Sequence, residues 1–235
     1  MAIFTAPLVA DPGTRFEYGI NGDWLGRVVE AAGGRRLDAC FEENIFGPLE
    51  MSNTTFLMSP EQRANSVPIH VRAGDGSWVA TDIDWSQEPE WLAGGHGLYS
   101  TPRDYLSFQR MLLGGGRLGR VRLLEAATVE AAFANQIGEL CFPALIRGVD
   151  RGASLDFDAG PGRKWGYGLL LTTTSQPGMR AAGSGGWAGL CNTHFWVDPA
   201  AGITAAVYTQ ALPYAEPRVF KQYVGFEKAL YASLS

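Results

Sequence analysis

Over the first 135 positions, apolar residues mostly recur at the spacing of helices. Trp24, Leu25, Val28, Val29 and Ala32 repeat at helical intervals behind a turn-rich opening and stop at Gly33-Gly34, which predicts an amphipathic helix. Leu37, Phe41 and Ile45 share one face of a second helix, ended by Gly47-Pro48. Ser59-Pro60-Glu61-Gln62 offers a capping hydroxyl, a proline in the first helical position and Gln three residues after the cap, so a short helix starts there. Thr101-Pro102 starts another that runs to Gly114-Gly115-Gly116, and 124–135 reads as helical. Between them, 66–83 alternates apolar and polar residues around Asp75-Gly76, the pattern of a hairpin with a tight turn.

Residues 136–165 carry glycine, proline and aspartate without periodicity and read as a long loop or subdomain crossing. Beyond them the period shortens to that of strands: Trp165–Thr173, Met179–Gly183, Leu190–Val197 and Ile203–Gln210, with turns at Gln176-Pro177-Gly178 and Asp198-Pro199. Val219, Tyr223, Phe226, Leu230 and Leu234 then form the apolar stripe of a last helix that packs across the sheet. The expected organisation is one domain over 1–235. A mainly helical lobe with one hairpin occupies 23–135, and antiparallel strands plus a C-terminal helix occupy 165–235.

Composition narrows the partners. With 46% hydrophobic and 18% charged residues the chain folds as a globular protein. A net charge of −5 without a basic cluster argues against nucleic acid or an anionic membrane and for a small neutral substrate. The absence of an apolar run of about 18 residues, and of a basic n-region at the N-terminus, predicts a cytoplasmic protein without a membrane partner. Cys40, Cys141 and Cys191 are odd in number and scattered, which points away from a disulfide framework or zinc knuckle. His70, His96 and His194 lack the paired spacing of a metal site, so neither cofactor nor metal is expected. His194 alternates into a strand, where it packs or faces solvent, and Lys164 reads as a solvated loop charge.

Three stretches carry chemistry. Pro12-Gly13-Thr14-Arg15-Phe16-Glu17-Tyr18-Gly19 precedes the first helix. Gly94-Gly95-His96-Gly97-Leu98-Tyr99-Ser100-Thr101 leads into the proline-capped one. Gly186-Trp187-Ala188-Gly189 comes shortly before Phe195-Trp196-Val197-Asp198-Pro199. In this order they resemble the serine β-lactamase-like hydrolases, especially carboxylesterases related to class C β-lactamases, over essentially the whole chain. The resemblance implies an α/β fold of the β-lactamase/transpeptidase type and acyl transfer through a serine ester on small acyl esters. It makes Tyr18 the catalytic base position, Trp187 a cleft residue, and the backbone N–H near Leu190 the strand-borne half of an oxyanion hole. Asn21, His96, Ala188 and Gly189 become substrate-contacting positions. Simple packing beside Phe16 is the alternative for Tyr18.

The chain departs from that pattern in one large respect. The family's nucleophile sits in Ser-x-x-Lys, whose lysine lowers the tyrosine from its ordinary pKa of about 10. Here the residues three before Lys164, Lys221 and Lys228 are Pro161, Arg218 and Gly225. Seventeen residues precede Tyr18, where the family carries that motif together with its first strands. The expectation is a truncated domain with an exposed sheet edge that a homodimer or partner chain covers, and Tyr18 a poorer base. Asparagine falls at Asn21 and Ile20 takes the third place of Y-x-N, which favours esters over β-lactams. Ala182-Gly183-Ser184-Gly185-Gly186 imitates the G-x-S-x-G elbow and keeps Ser184 as an alternative nucleophile, against the strands that flank it. A non-catalytic remnant or binding module is the rival reading.

Overall fold

The computed structural model describes residues 2–234. After a 3-10 turn at Ala2–Thr5, helix α1 spans Asn21–Gly33 and ends where Gly34, at φ 64°, donates its N–H to Glu30. Helix α2 (Leu37–Phe41) runs directly into a wide turn at Glu42–Phe46, so the second predicted helix is continuous but loosens at its end. In α3 (Pro60–Ala64), Ser59 Oγ accepts from Gln62 N at 3.2 Å while Gln62 Oε1 accepts from Ser59 N at 2.9 Å. Both halves of the capping box are therefore made. Strands β1 (His70–Arg72) and β2 (Trp78–Ala80) form the predicted hairpin. Helix α4 (Pro102–Leu113) is capped by Thr101, a small hairpin joins β3 (Arg117–Leu118) to β4 (Val121–Arg122), and α5 covers Ala126–Ala132.

The second half needs more correction. Within the expected loop lies a short hairpin of β5 (Leu145–Ile146) and β6 (Phe157–Asp158). The expected strand Trp165–Thr173 is two strands, β7 (Lys164–Trp165) and β8 (Leu170–Leu171), because Gly168 at φ 74° reverses the chain between them. Met179–Gly183 is not a strand: Arg180 is drawn out of any ladder by its contact with buried Glu227. Strand β9 occupies Gly185–Gly189 and β10 Thr193–Asp198, so the turn falls at 190–192, inside the strand expected over Leu190–Val197. Strand β11 (Ile203–Val207) ends earlier than expected, and β12 (Ala211–Leu212) crosses over to pair in parallel with β1, His70 opposite Ala211. Helix α6 (Pro217–Ala232) closes the chain. Lys164 is no free loop charge, since its Nζ donates to Gly138 O at 2.8 Å and Leu140 O at 2.7 Å and pins that loop.

The main sheet has the order β11-β10-β9-β8-β7, with β11 and β7 at its edges, and every pairing in it is antiparallel. Successive residues of β10 point to opposite faces. Phe195 meets Tyr105 of α4 at 5.3 Å, and Val197 joins Met111, Leu112, Phe46, Leu49 and Met51 in the main apolar core. His194 and Trp196 turn the other way, onto Tyr223 and Phe226 of α6. The sheet is thus a middle layer between α4 and α6, which fits the expected α/β architecture. A smaller core of Leu37, Phe56 and Leu92 lies under α1 and α2. No helix of the described residues is long and apolar enough to cross a membrane.

Candidate active site

Strand β9 supplies the centre of the site. Trp187 pairs with Phe195 across the β9–β10 ladder and so projects from the face that α4 covers. Its indole stands edge-on to Trp165 at 4.7 Å and 85°, meets Phe142 at 5.7 Å, and lies 5.1 Å from the ring of Tyr18. Phe142, 1% exposed, stacks on Trp165 at 5.5 Å, and Phe16 leans on both. Offset and edge-to-face pairs of this kind add about 0.5–1.5 kcal/mol each beyond burial. Aromatic residues from four separate segments therefore fix the wall, and Tyr18 sits at its rim with 52% of its surface exposed. Packing and accessibility coexist there, which a buried core tyrosine would not show.

The glycines around Trp187 have a structural explanation. A Cβ on Gly186 would run into the Phe195 carbonyl, one on Gly189 would strike Thr193 Oγ1, and one on Gly185 would lie 3.0 Å from both Leu169 and Phe133. The close approach is that of the neighbouring strands and α5, not of a ligand. Leu190 is not on the strand but is the first residue of the turn that follows it, 46% exposed. Asn192 holds that turn in place. Fully buried and at φ 57°, it donates its N–H to Gly189 O at 3.0 Å and its Nδ2 to Ala211 O at 2.8 Å and Pro213 O at 2.9 Å, and accepts from Ala215 N at 2.9 Å. An oxyanion donor at Leu190 would be backed by this fixed amide.

The other expected positions divide. Asn21 is the first residue of α1, exposed, its Nδ2 reaching back to Glu17 O at 3.5 Å beside the Tyr18 loop. His96 is exposed in its glycine loop, Nδ1 3.5 Å from the Asp23 carboxylate. Ala188 pairs with His194 and so directs its methyl to the opposite face from Trp187, leaving its backbone for the cleft. Ser184 does not suit a nucleophile. It is 0% exposed, its Oγ donates to Ala181 O at 2.7 Å, and β9 begins at the next residue where an elbow would need a helix. His194 lies behind the site, 4% exposed and stacked on Tyr223 at 4.2 Å, with Nε2 lacking a partner among the described residues. Burial first, and the Arg180 cation second, hold its pKa down to about 4. Two surface depressions, about 390 Å³ beside Arg103 and Arg110 and about 420 Å³ beside Arg36 and Phe56, include none of the aromatic wall.

The family model for beta-lactamase matches residues 2–230. The chain belongs to the beta-lactamase family. Among curated relatives of this beta-lactamase-family chain, a monacolin J acid methylbutanoyltransferase of Aspergillus terreus is 29% identical over 244 residues, covering 96% of the chain and 56% of that protein. A lovastatin esterase of Penicillium rubens is 27% identical, covering 83% of the chain and 50% of that protein. Among solved structures, a simvastatin synthase variant from Aspergillus terreus superposes with a TM-score of 0.82 at 27% identity, over 98% of the chain and 59% of that structure. The chain spans little more than half the length of the curated relatives it matches. The fold is accordingly of the β-lactamase/transpeptidase type, with acyltransferases and esterases among its homologues.

Sequence reasoning missed Phe142 and Trp165 as parts of the wall, and Asp23. Phe142 lies in a stretch without periodicity, and Trp165 reads as the first residue of an ordinary strand. Asp23 lies off the apolar stripe Trp24, Leu25 and Val28 that the sequence shows, yet those three are exposed and Asp23 is 4% exposed. A polar residue in that position calls for a partner.

Proposed function

We propose that these residues form the tyrosine- and oxyanion-bearing wall of an acyl-transfer site that acts on small acyl esters through an acyl-enzyme. The observation that carries the reading is the exposed Tyr18 ring held 5.1 Å from Trp187 of β9, the strand that runs into the turn bearing Leu190. In this reading a serine hydroxyl attacks the ester carbonyl carbon, its proton passes to the Tyr18 oxygen, which a cation supplied with that serine would have to keep deprotonated, and the Leu190 N–H faces the developing oxyanion. Collapse of the tetrahedral species breaks the bond to the alcohol, which leaves with that proton. Water or a second alcohol then resolves the acyl-serine by the same steps in reverse. One relative is named for methylbutanoyl transfer and another as an esterase, which supports both outcomes of that last step. The chain contains no Ser-x-x-Lys, so the reading assigns the nucleophile to a group outside these residues, including a partner chain or second copy. The same absence favours one rival, a cleft that binds esters without turning them over.

Fluorophosphonate labelling of the native protein, with any partner chain it carries, tests this by intact mass and peptide mapping. The expected result is a single serine adduct outside position 184, with p-nitrophenyl butyrate turnover lost in proportion. Tyr18→Phe should then lower kcat by about 100-fold or more and change KM by less than about threefold. Neither adduct nor turnover from a folded sample overturns catalysis and leaves the binding cleft, which quenching of tryptophan fluorescence by the ester would report.

A further inference from the structure

Helix α1 follows Tyr18 after two residues, yet it is seated in an unusual way. Its side chains Trp24, Leu25 and Val28 are 46%, 62% and 57% exposed, and the two residues it buries are Asp23 and Gly26. Val29 reaches the small core around Leu37, but that contact lies two turns from the helix start. Apart from the Phe4 ring edge-on to Trp24 at 4.7 Å, the start of the helix meets backbone. A Cβ on Gly22 would come within 2.8 Å of Gly95 Cα, one on Gly26 within 3.0 Å of Gly94 Cα, and one on Gly94 would strike the Gly22 carbonyl. Glycine on both sides lets helix and loop touch main chain to main chain.

Asp23 fastens this seam. Its carboxylate, 4% exposed as a residue, accepts the Gly95 N–H at 2.9 Å and lies 3.5 Å from His96 Nδ1. Its own N–H closes the first turn on the Ile20 carbonyl at 3.0 Å, two residues beyond Tyr18. A buried carboxylate that lost the Gly95 donor would leave an uncompensated charge, so the pairing is strongly directional.

We infer that Asp23 is a positioning residue for Tyr18: by locking the first turn of α1 onto the Gly94–His96 loop, it fixes where the segment 18–20 leaves the helix. The loop, which contributes no ring to the aromatic wall, thereby sets the reach of the phenol. The kinetic half of this inference rests on the acyl-transfer reading above; the geometric half stands without it.

The test is 3-fluorotyrosine incorporation, with the Tyr18 resonance assigned through Tyr18→Phe, in wild type, Asp23→Ala and Asp23→Asn. Asp23→Ala should shift or broaden the Tyr18 signal while far-UV circular dichroism stays native. Asp23→Asn, whose amide oxygen still accepts from Gly95, should restore it. In ester turnover Asp23→Ala should lose about tenfold to a hundredfold in kcat with KM nearly unchanged, and Asp23→Asn should recover most of it. If Asp23→Ala does not fold, Asp23→Ser, too short to reach Gly95 N–H, replaces it. An unchanged Tyr18 resonance in a folded Ala or Ser variant overturns the inference. A wild type without turnover overturns the acyl-transfer reading and leaves the resonance as the deciding measurement.

Discussion

The two faces of the main sheet are built from different materials. Behind β10, under α6, lies a polar network enclosed in aromatic rings. Arg180 donates to both oxygens of Glu227, which is 0% exposed, and to Tyr223, and its guanidinium lies 4.5 Å over Trp196. Tyr231 donates to Asp198 at 2.7 Å and accepts from Trp196 Nε1 at 3.2 Å. In front, on the face shared with α4, the candidate wall of Phe16, Tyr18, Phe142, Trp165 and Trp187 is held by ring packing, and Tyr18 is half exposed. The rear face is specified by charge and hydrogen bonds between buried groups. The front face is specified by shape and leaves the Tyr18 ring half exposed. One sheet thus carries a buried polar network on one face and, on the other, both the main apolar core and a partly exposed aromatic wall.

Arg180→Met should break that contrast most severely. It strands the Glu227 carboxylate in the interior and should cost about 3–5 kcal/mol in urea unfolding, whereas Arg180→Met with Glu227→Leu should recover most of the loss. Acid is the next lever, through His194. The imidazole titrates near 6.5 when unfolded and near 4 when folded, so the unfolded chain binds a proton in that window that the folded chain refuses. The stability this group contributes is full above about pH 6.5 and falls as pH drops towards 4, by about 3 kcal/mol in all. His194→Gln should flatten that slope in unfolding curves measured at pH 7 and pH 4.5. Tyr231→Phe is gentler, at about 1 kcal/mol, because Asp198 keeps the Ala181 and Ala201 N–H donors. On the front face Tyr18→Phe should move stability by less than about 0.5 kcal/mol while removing most ester turnover. A large stability loss there would erase the distinction between the faces.

Local signals were legible where the partner of a residue lies within a few positions of it. The capping box at Ser59 and Gln62, the Thr101 cap, the Asp75-Gly76 hairpin and the helix stop at Gly34 all close within one turn, and each stands where the pattern placed it. The strand reading slipped where the partner is distant. Arg180 leaves an extended pattern because Glu227, 47 residues on, offers a buried carboxylate, and β12 departs from β11 because β1 accepts it. No periodicity within 175–183 or 203–212 encodes either choice.

The site divides in the same way. By itself the sequence determined the family's three motifs in their order, the aromatic and glycine content of the stretch around Trp187, and the placement of Tyr18 just ahead of a helix. Only the tertiary structure decided that Phe142 and Trp165 complete the wall, that Gly185, Gly186 and Gly189 serve strand crowding, and that Ser184 is sealed from solvent. It also decided that Asp23 ties the helix that follows Tyr18 to a loop 72 residues away from it. The physical reason is range. Capping, turn and helix preferences are energies between near neighbours, whereas ring stacking, charge pairing and backbone contact between remote segments exist only once the chain has closed upon itself.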